Sequence, residues 1–180
     1  MELATLLERK RKAVLGQWFQ LVIETYPLAT SNLLAKQEDQ FRNPVGHAIA
    51  ESLSRIYDQI QAGMDAGELT DALDGIIRIR SIQDFTPSEA VSFIFDLKTV
   101  IREVVDAEGR GGDALSELAS LDSKIDRVAL LAFEKYMTCR EKLHEIRNNE
   151  IKKRMAELSQ RRNVGIAASA EEKQSICGEA

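Results

Sequence analysis

From Asp113 to about Arg161 the chain has neither proline nor glycine, a stretch close to fifty residues long. Through it Leu118, Leu121, Ile125, Val128, Ala132, Tyr136, Cys139, Leu143 and Ile146 recur every three or four residues. That spacing puts them on one face of an α-helix. An average helix runs only about 11–12 residues. The first half of this one can pack on a domain built from the preceding residues, and the second half overshoots it. From Arg147 to Arg162 six basic residues stand against two acidic, a net of +4, and the apolar stripe thins to Ile151, Met155 and Leu158. A stripe that sparse is more stable beside a partner helix than alone.

The rest of the chain is helical by the same reasoning. Its three prolines, at 27, 44 and 87, all fall where helices begin or end. A first helix is expected from about Leu3 to Thr25, with Leu7, Val14, Trp18, Leu21 and Thr25 on one face. Tyr26-Pro27 closes it. A second opens with Asn43 as N-cap and Pro44 at the first helical position, where a missing N–H does no harm. Its apolar face is Val45, Ile49, Leu53, Ile56, Ile60 and Met64. A third spans about Leu69 to Gln83. Thr86-Pro87-Ser88-Glu89 then reads as a capping box. It starts a fourth helix whose apolar residues, Phe93 and Phe95 among them, occupy more than one face, so this helix is expected to be the most buried. Gly109-Arg110-Gly111-Gly112 ends it. No segment alternates with period two for long enough to suggest a sheet.

Composition narrows the function classes. A net charge of −5 argues against non-specific nucleic-acid binding. No apolar run approaches the roughly 18 residues that cross a bilayer. The start of the chain turns charged at Glu8-Arg9-Lys10-Arg11-Lys12, unlike a secretory signal. Two cysteines, Cys139 and Cys177, do not make a disulfide framework, and a cytoplasmic location is expected. Residues after Asn163 read as a disordered tail.

Few residues suggest chemistry. His47 follows the proline–glycine entrance of the second helix, where it could meet Phe41 and serve a sensed ligand or a haem. The plainer reading is a polar residue in a first helical turn, and no metal-ligand spacing surrounds it. Arg78, Arg80 and Lys98 could converge on an anion near the start of the fourth helix. The structural reading pairs Arg80 with Asp84 and Arg78 with Asp74 at helical spacing. Asn43 is a helix cap. Trp18, Tyr26, Phe41, Phe93 and Phe95 could line a pocket, although aromatic residues at helical spacing are more often core. No nucleophile lies near a histidine and no phosphate-binding glycine loop is present, so an enzyme is not expected.

Two motif blocks carry a family likeness. Trp18 with Thr25-Tyr26-Pro27 and Asp39-Gln40-Phe41-Arg42-Asn43-Pro44-Val45-Gly46 form one. The run from Arg78-Ile79-Arg80-Ser81-Ile82-Gln83-Asp84-Phe85-Thr86-Pro87-Ser88 to Lys98 forms the other. Over roughly residues 3–135 the chain resembles the RsbRD-type N-terminal sensor domain of bacterial stressosome co-antagonists. The resemblance implies an all-helical, globin-like fold, usually without haem, that dimerises and signals through a linker helix to a STAS domain. Nothing after residue 135 can form that domain, so a stand-alone sensor acting by partner binding is expected.

The expectation is therefore an all-α, globin-like bundle whose long C-terminal helix extends as a coiled coil. Residues 1–135 form the sensor domain, 136–162 the helical extension and 163–180 the tail. Expected ligand or sensing residues are Phe41, Asn43, His47, Arg78, Arg80 and Lys98. The dimer and partner face is expected at Ile125, Val128, Ala132, Tyr136, Cys139, Leu143 and Ile146. A homodimer regulating a protein partner is the leading function, with no cofactor, no nucleic acid and no membrane insertion. A globin-like small-molecule or haem binder is the alternative.

Overall fold

Capping side chains explain where three of the helices start. The computed structural model describes residues 2–35, 43–83, 85–109 and 115–176, with side chains as far as Gln160. Among these residues there are seven helices and no strand: α1 (Leu3–Arg9), α2 (Arg11–Glu24), α3 (Leu28–Leu34), α4 (Pro44–Gln61), α5 (Ala66–Ile82), α6 (Pro87–Ala107) and α7 (Leu115–Ile176). The chain divides into two units, Met1–Arg140 and Glu141–Ala180.

In the first unit, α4 opens on Asn43, whose side-chain oxygen accepts from the Gly46 amide at 2.8 Å. Its amide nitrogen donates to the carbonyls of Leu33 and Leu34, at 3.0 and 2.9 Å. One side chain thus caps α4 and ties it to the end of α3. Gly46 makes the approach possible, because a Cβ there would sit 2.7 Å from the Leu34 carbonyl oxygen. α6 has the expected capping box: Thr86 accepts from the Glu89 amide, and Glu89 accepts from the Thr86 amide at 2.8 Å. α5 begins earlier than its apolar pattern suggested, since Asp65 caps it through the Glu68 amide.

Three expectations need correction here. The first helix is broken at Lys10, whose ψ of 6° leaves the helical range. Around the break Arg9 and Lys10 reach Glu108 while Arg11 turns to Asp58, so one charged run serves two separate anchors. Met64 does not extend the α4 stripe, because α4 ends at Gln61 and Met64 takes the left-handed turn to α5 (φ 58°). Phe95 and Val45 are exposed rather than buried, since each lies at the edge of its helix's apolar arc.

The core joins all seven helices' inward faces. α4 and α5 pack closest: a Cβ on Gly75 would meet the Ser52 hydroxyl oxygen at 2.5 Å. Trp18 is fully buried, stacked on Phe93 with ring centroids 6.2 Å apart, and its indole N–H donates to the Phe93 carbonyl at 2.6 Å. Buried Tyr57 and Tyr136 donate to the carbonyls of Leu7 and Phe85. These three aromatics therefore bury their rings without stranding their polar atoms. α6 buries eight residues from Ala90 to Val105, and α7 adds Leu118, Leu121, Ile125, Val128, Ala129, Ala132 and Tyr136.

The second unit is helical to Ile176, through the segment read as a tail from 163. Ala167, Ala168, Ala170, Glu171, Glu172, Lys173 and Gln174 are strong helix formers, so polar composition does not by itself stop the helix. Every described side chain of this unit except Leu143 is exposed, including Ile146, Ile151, Met155 and Leu158. No helix among the described residues is long and apolar enough to cross a membrane.

Candidate functional site

The most unusual side chain is Arg80, near the end of α5. It is fully buried. Its guanidinium donates to the Glu89 carbonyl at 2.8 Å, to the Thr25 hydroxyl at 2.6 Å and, more weakly, to the Val22 carbonyl at 3.4 Å. It therefore ties the end of α2 to the start of α6. Three rings surround it: Phe85, Phe93 and Tyr26 have centroids 4.7, 5.1 and 5.4 Å from the guanidinium carbon. Cation–π attraction of this kind is worth about 0.5–2 kcal/mol per ring in desolvated settings.

Those contacts offset a real cost. A buried charge without a counter-ion costs several kcal/mol, and among the described residues no carboxylate lies within ion-pair distance of Arg80. Burial pulls its pKa down, with Tyr26 and then Asp96 opposing the shift. An arginine starts so high that it stays charged at neutral pH. Burial pushes the Tyr26 phenol up, and the Arg80 charge partly counters it. Asp96 is also raised by burial, again opposed by Arg80.

Beside this cluster lies an open cavity of about 430 Å³. Thr25, Tyr26, Pro27 and Thr30 form one side; Gln83, Phe85 and Glu89 form the other. Tyr26 and Phe85 meet edge to face at 5.3 Å. Three buried polar atoms here make no hydrogen bond of normal geometry: the Tyr26 hydroxyl, the Gln83 Oε1 and the Arg80 Nε. Tyr26 and Arg80 interact with each other, which leaves the Gln83 Oε1 as the atom here with no partner; buried polar atoms are nearly always paired, so this cluster is a candidate site.

The other expected sensing residues are not gathered there. Asn43 is buried as the cap of α4. His47 is exposed on the first turn of α4, so it does not face the core as a haem ligand there would. Arg78 is at the surface, paired with Asp74 at 2.9 Å as its helical spacing suggested, and Lys135 shares that carboxylate. Lys98 pairs with Asp126 and lies over the Phe95 ring. The three cations are thus committed to separate partners, and only Arg80 lies near the cavity, buried behind the Tyr26 and Phe85 that line it. Phe41, and Asp84 as the expected partner of Arg80, lie outside the described residues. Gln83, Phe85 and Thr30 were not singled out as site residues. The only signal available was that both family-like blocks contain a helix break, at Tyr26-Pro27 and at Phe85-Thr86-Pro87.

The expected dimer face also needs correction. Ile125, Val128, Ala132 and Tyr136 are buried in the chain's own core, so they are not free to meet a partner. Cys139 and Leu143 are half-buried, and Ile146 is exposed. The apolar row that α7 leaves open is a different one, Leu130, Phe133 and Met137, at 70%, 44% and 38% exposure. The pairs Lys98–Asp126 and Arg102–Asp122 run α6 antiparallel to this part of α7. Phe95, 44% exposed, lies a turn before Lys98, and so comes level with Leu130, a turn beyond Asp126.

Among the described residues no three His, Cys, Asp or Glu side chains are placed to hold a metal ion. No curated protein matches the chain, and no solved structure does. One family does, the RsbT co-antagonist protein rsbRD N-terminal domain, over residues 12–151. It is a family of signalling sensor domains related to the stressosome. With most of its length matched and an all-helical fold built on the two motif blocks, this chain belongs to the rsbRD N-terminal domain family.

Proposed function

We propose that the protein is a non-enzymatic, cytoplasmic sensor module of a bacterial stress-signalling assembly. It works as a homodimer and regulates a protein partner through its long C-terminal helix. The observation that carries this reading is the exposed row of Leu130, Phe133 and Met137 on α7, with Phe95 likewise exposed on α6. Contiguous apolar side chains on an otherwise polar surface mark an interaction site. Family membership supports protein–protein signalling as the use of that surface.

The second unit suits partner contact. Its described side chains present Ile151, Met155 and Leu158 at helical spacing, amid Lys152, Lys153 and Arg154. A sparse apolar stripe bordered by basic residues fits an amphipathic, acidic partner helix or a second copy in a coiled coil. A signal reaches this helix only if ligand or partner prefers one packing of the bundle over another.

Light scattering of the intact protein at micromolar concentration tests the proposal. The expected result is a dimer, converted to a folded monomer by the double substitution Leu130→Asp and Phe133→Asp. A monomeric intact protein, or a dimer that survives both changes, overturns it. Removing residues 141–180 should leave the domain folded and abolish capture of the partner.

A further inference from the structure

We infer that the cavity beside Arg80 binds a small organic acid, its carboxylate drawn toward Tyr26 and its apolar body against Pro27 and Phe85. The inference rests on the sensor reading only for its biological purpose. The cavity is built from one chain, so its occupancy can be tested whatever the oligomeric state.

Charge comes first. Arg80 places a full positive charge behind the cavity wall, fully buried and with no carboxylate in ion-pair reach among the described residues. In a low-dielectric setting such a charge favours an anion nearby. The polar atoms agree with it. The Tyr26 hydroxyl is buried, on a residue only 6% exposed, and interacts with the Arg80 guanidinium without a hydrogen bond of normal geometry; as an acceptor toward that cation it still has its own proton to donate to a carboxylate. The Gln83 side chain is unpaired at one oxygen, and its amide can turn to offer N–H instead. Glu89 lines the same cavity but does not neutralise Arg80. Its carboxylate is held by the Thr86 amide and hydroxyl, both at 2.8 Å.

Shape separates an organic acid from an inorganic ion. Pro27, Phe85 and the Tyr26 ring give the cavity apolar surface, and about 430 Å³ is far more room than a phosphate needs. Occupancy has a structural consequence. Neither the Tyr26 hydroxyl nor the Gln83 Oε1 is open to solvent, so a ligand that engages them must first turn Tyr26 or Gln83. Turning Tyr26 removes one of the rings around Arg80, and Arg80 holds α2 to α6. Ligand binding therefore bears directly on the packing of three helices.

The test uses the full chain with phenylacetate as probe and phenylacetamide and inorganic phosphate as controls. Trp18, the sole tryptophan, stacks on Phe93, which itself touches Arg80, so its emission reports on the cluster. Phenylacetate at millimolar concentration should change that emission saturably and raise Tm, with little response to the amide or to phosphate. Tyr26→Phe should keep the fold and bind about tenfold more weakly, the loss of one hydrogen bond to a charged group. Thr30→Phe, which adds bulk to the cavity lining without a second tryptophan, should abolish the response. No saturable response in folded protein overturns the inference. So does equal binding of acid and amide, equal binding of phosphate, or binding unaffected by both substitutions. A monomer that binds phenylacetate keeps this inference and sinks the dimer proposal.

Discussion

Two helix entrances stand out in the sequence, and the structure uses them in opposite ways. At Asn43–Gly46 one side chain accepts from Gly46 and donates to two carbonyls of α3, so the junction is closed by its own hydrogen bonds. At Arg80–Glu89 the capping box is also complete, yet among the described residues no carboxylate lies within ion-pair distance of the buried Arg80, and the Gln83 Oε1 beside it has no hydrogen-bond partner. A junction that satisfies itself serves the fold. One that leaves a buried charge and an unpaired oxygen is the place where we proposed a ligand.

Several substitutions sharpen or break that contrast. Arg80→Ala should cost most, about 4 kcal/mol, since it opens a core cavity and strands the acceptors at Glu89 and Thr25. Denaturant unfolding would show it, and a loss under 1 kcal/mol would mean that Arg80 does not hold α2 to α6. Asn43→Ala should cost about 2–3 kcal/mol, a cap plus two buried donors. Thr86→Ala, removing half of the capping box, should cost about 1 kcal/mol in the same assay.

Tyr26→Phe should cost little at pH 7, at most about 1 kcal/mol, because the hydroxyl it removes makes no hydrogen bond of normal geometry and only leans on Arg80. If it costs as much as Asn43→Ala, the contrast between the entrances fails. The same variant has a pH signature. Burial raises the Tyr26 pKa above its ordinary 10.0, so the folded protein holds that proton more tightly than the unfolded chain. The associated stability is fully present below about pH 10 and is lost as pH climbs past it. Tyr57, pushed up to about 12 by burial, adds a loss of the same sign between those values. Tyr26→Phe should therefore reduce, not remove, the alkaline decline measured by thermal unfolding across pH 9–12.

What could be read beforehand was local. Asn43, Pro44, Thr86, Pro87 and Glu89 announce two helix starts through backbone geometry that neighbours in sequence settle. The Arg78–Asp74 pair follows from helical spacing alone. The side of α7 that the domain would cover was not legible. Ile125, Val128, Ala132 and Tyr136 form one apolar arc and Leu130, Phe133 and Met137 another, and periodicity cannot rank them. Arg80 escaped for a related reason: its partners are the carbonyls of residues 22 and 89 and a hydroxyl at 25, which no sequence spacing connects. The same holds for the break at Lys10, whose flanking anchors, Glu108 and Asp58, lie far along the chain.

The missing side chain at Gly75 lets α4 and α5 lie so near each other that the Ser52 hydroxyl fills the gap. Two rods keyed together in this way have little slack, because packed interiors pass strain on rather than absorb it. α5 ends near Arg80 and α4 begins at Asn43, so a nudge delivered at one is felt at the other. The hairpin is thus a lever between the cavity and the α3 clamp, and an added methyl at position 75 would pry it open.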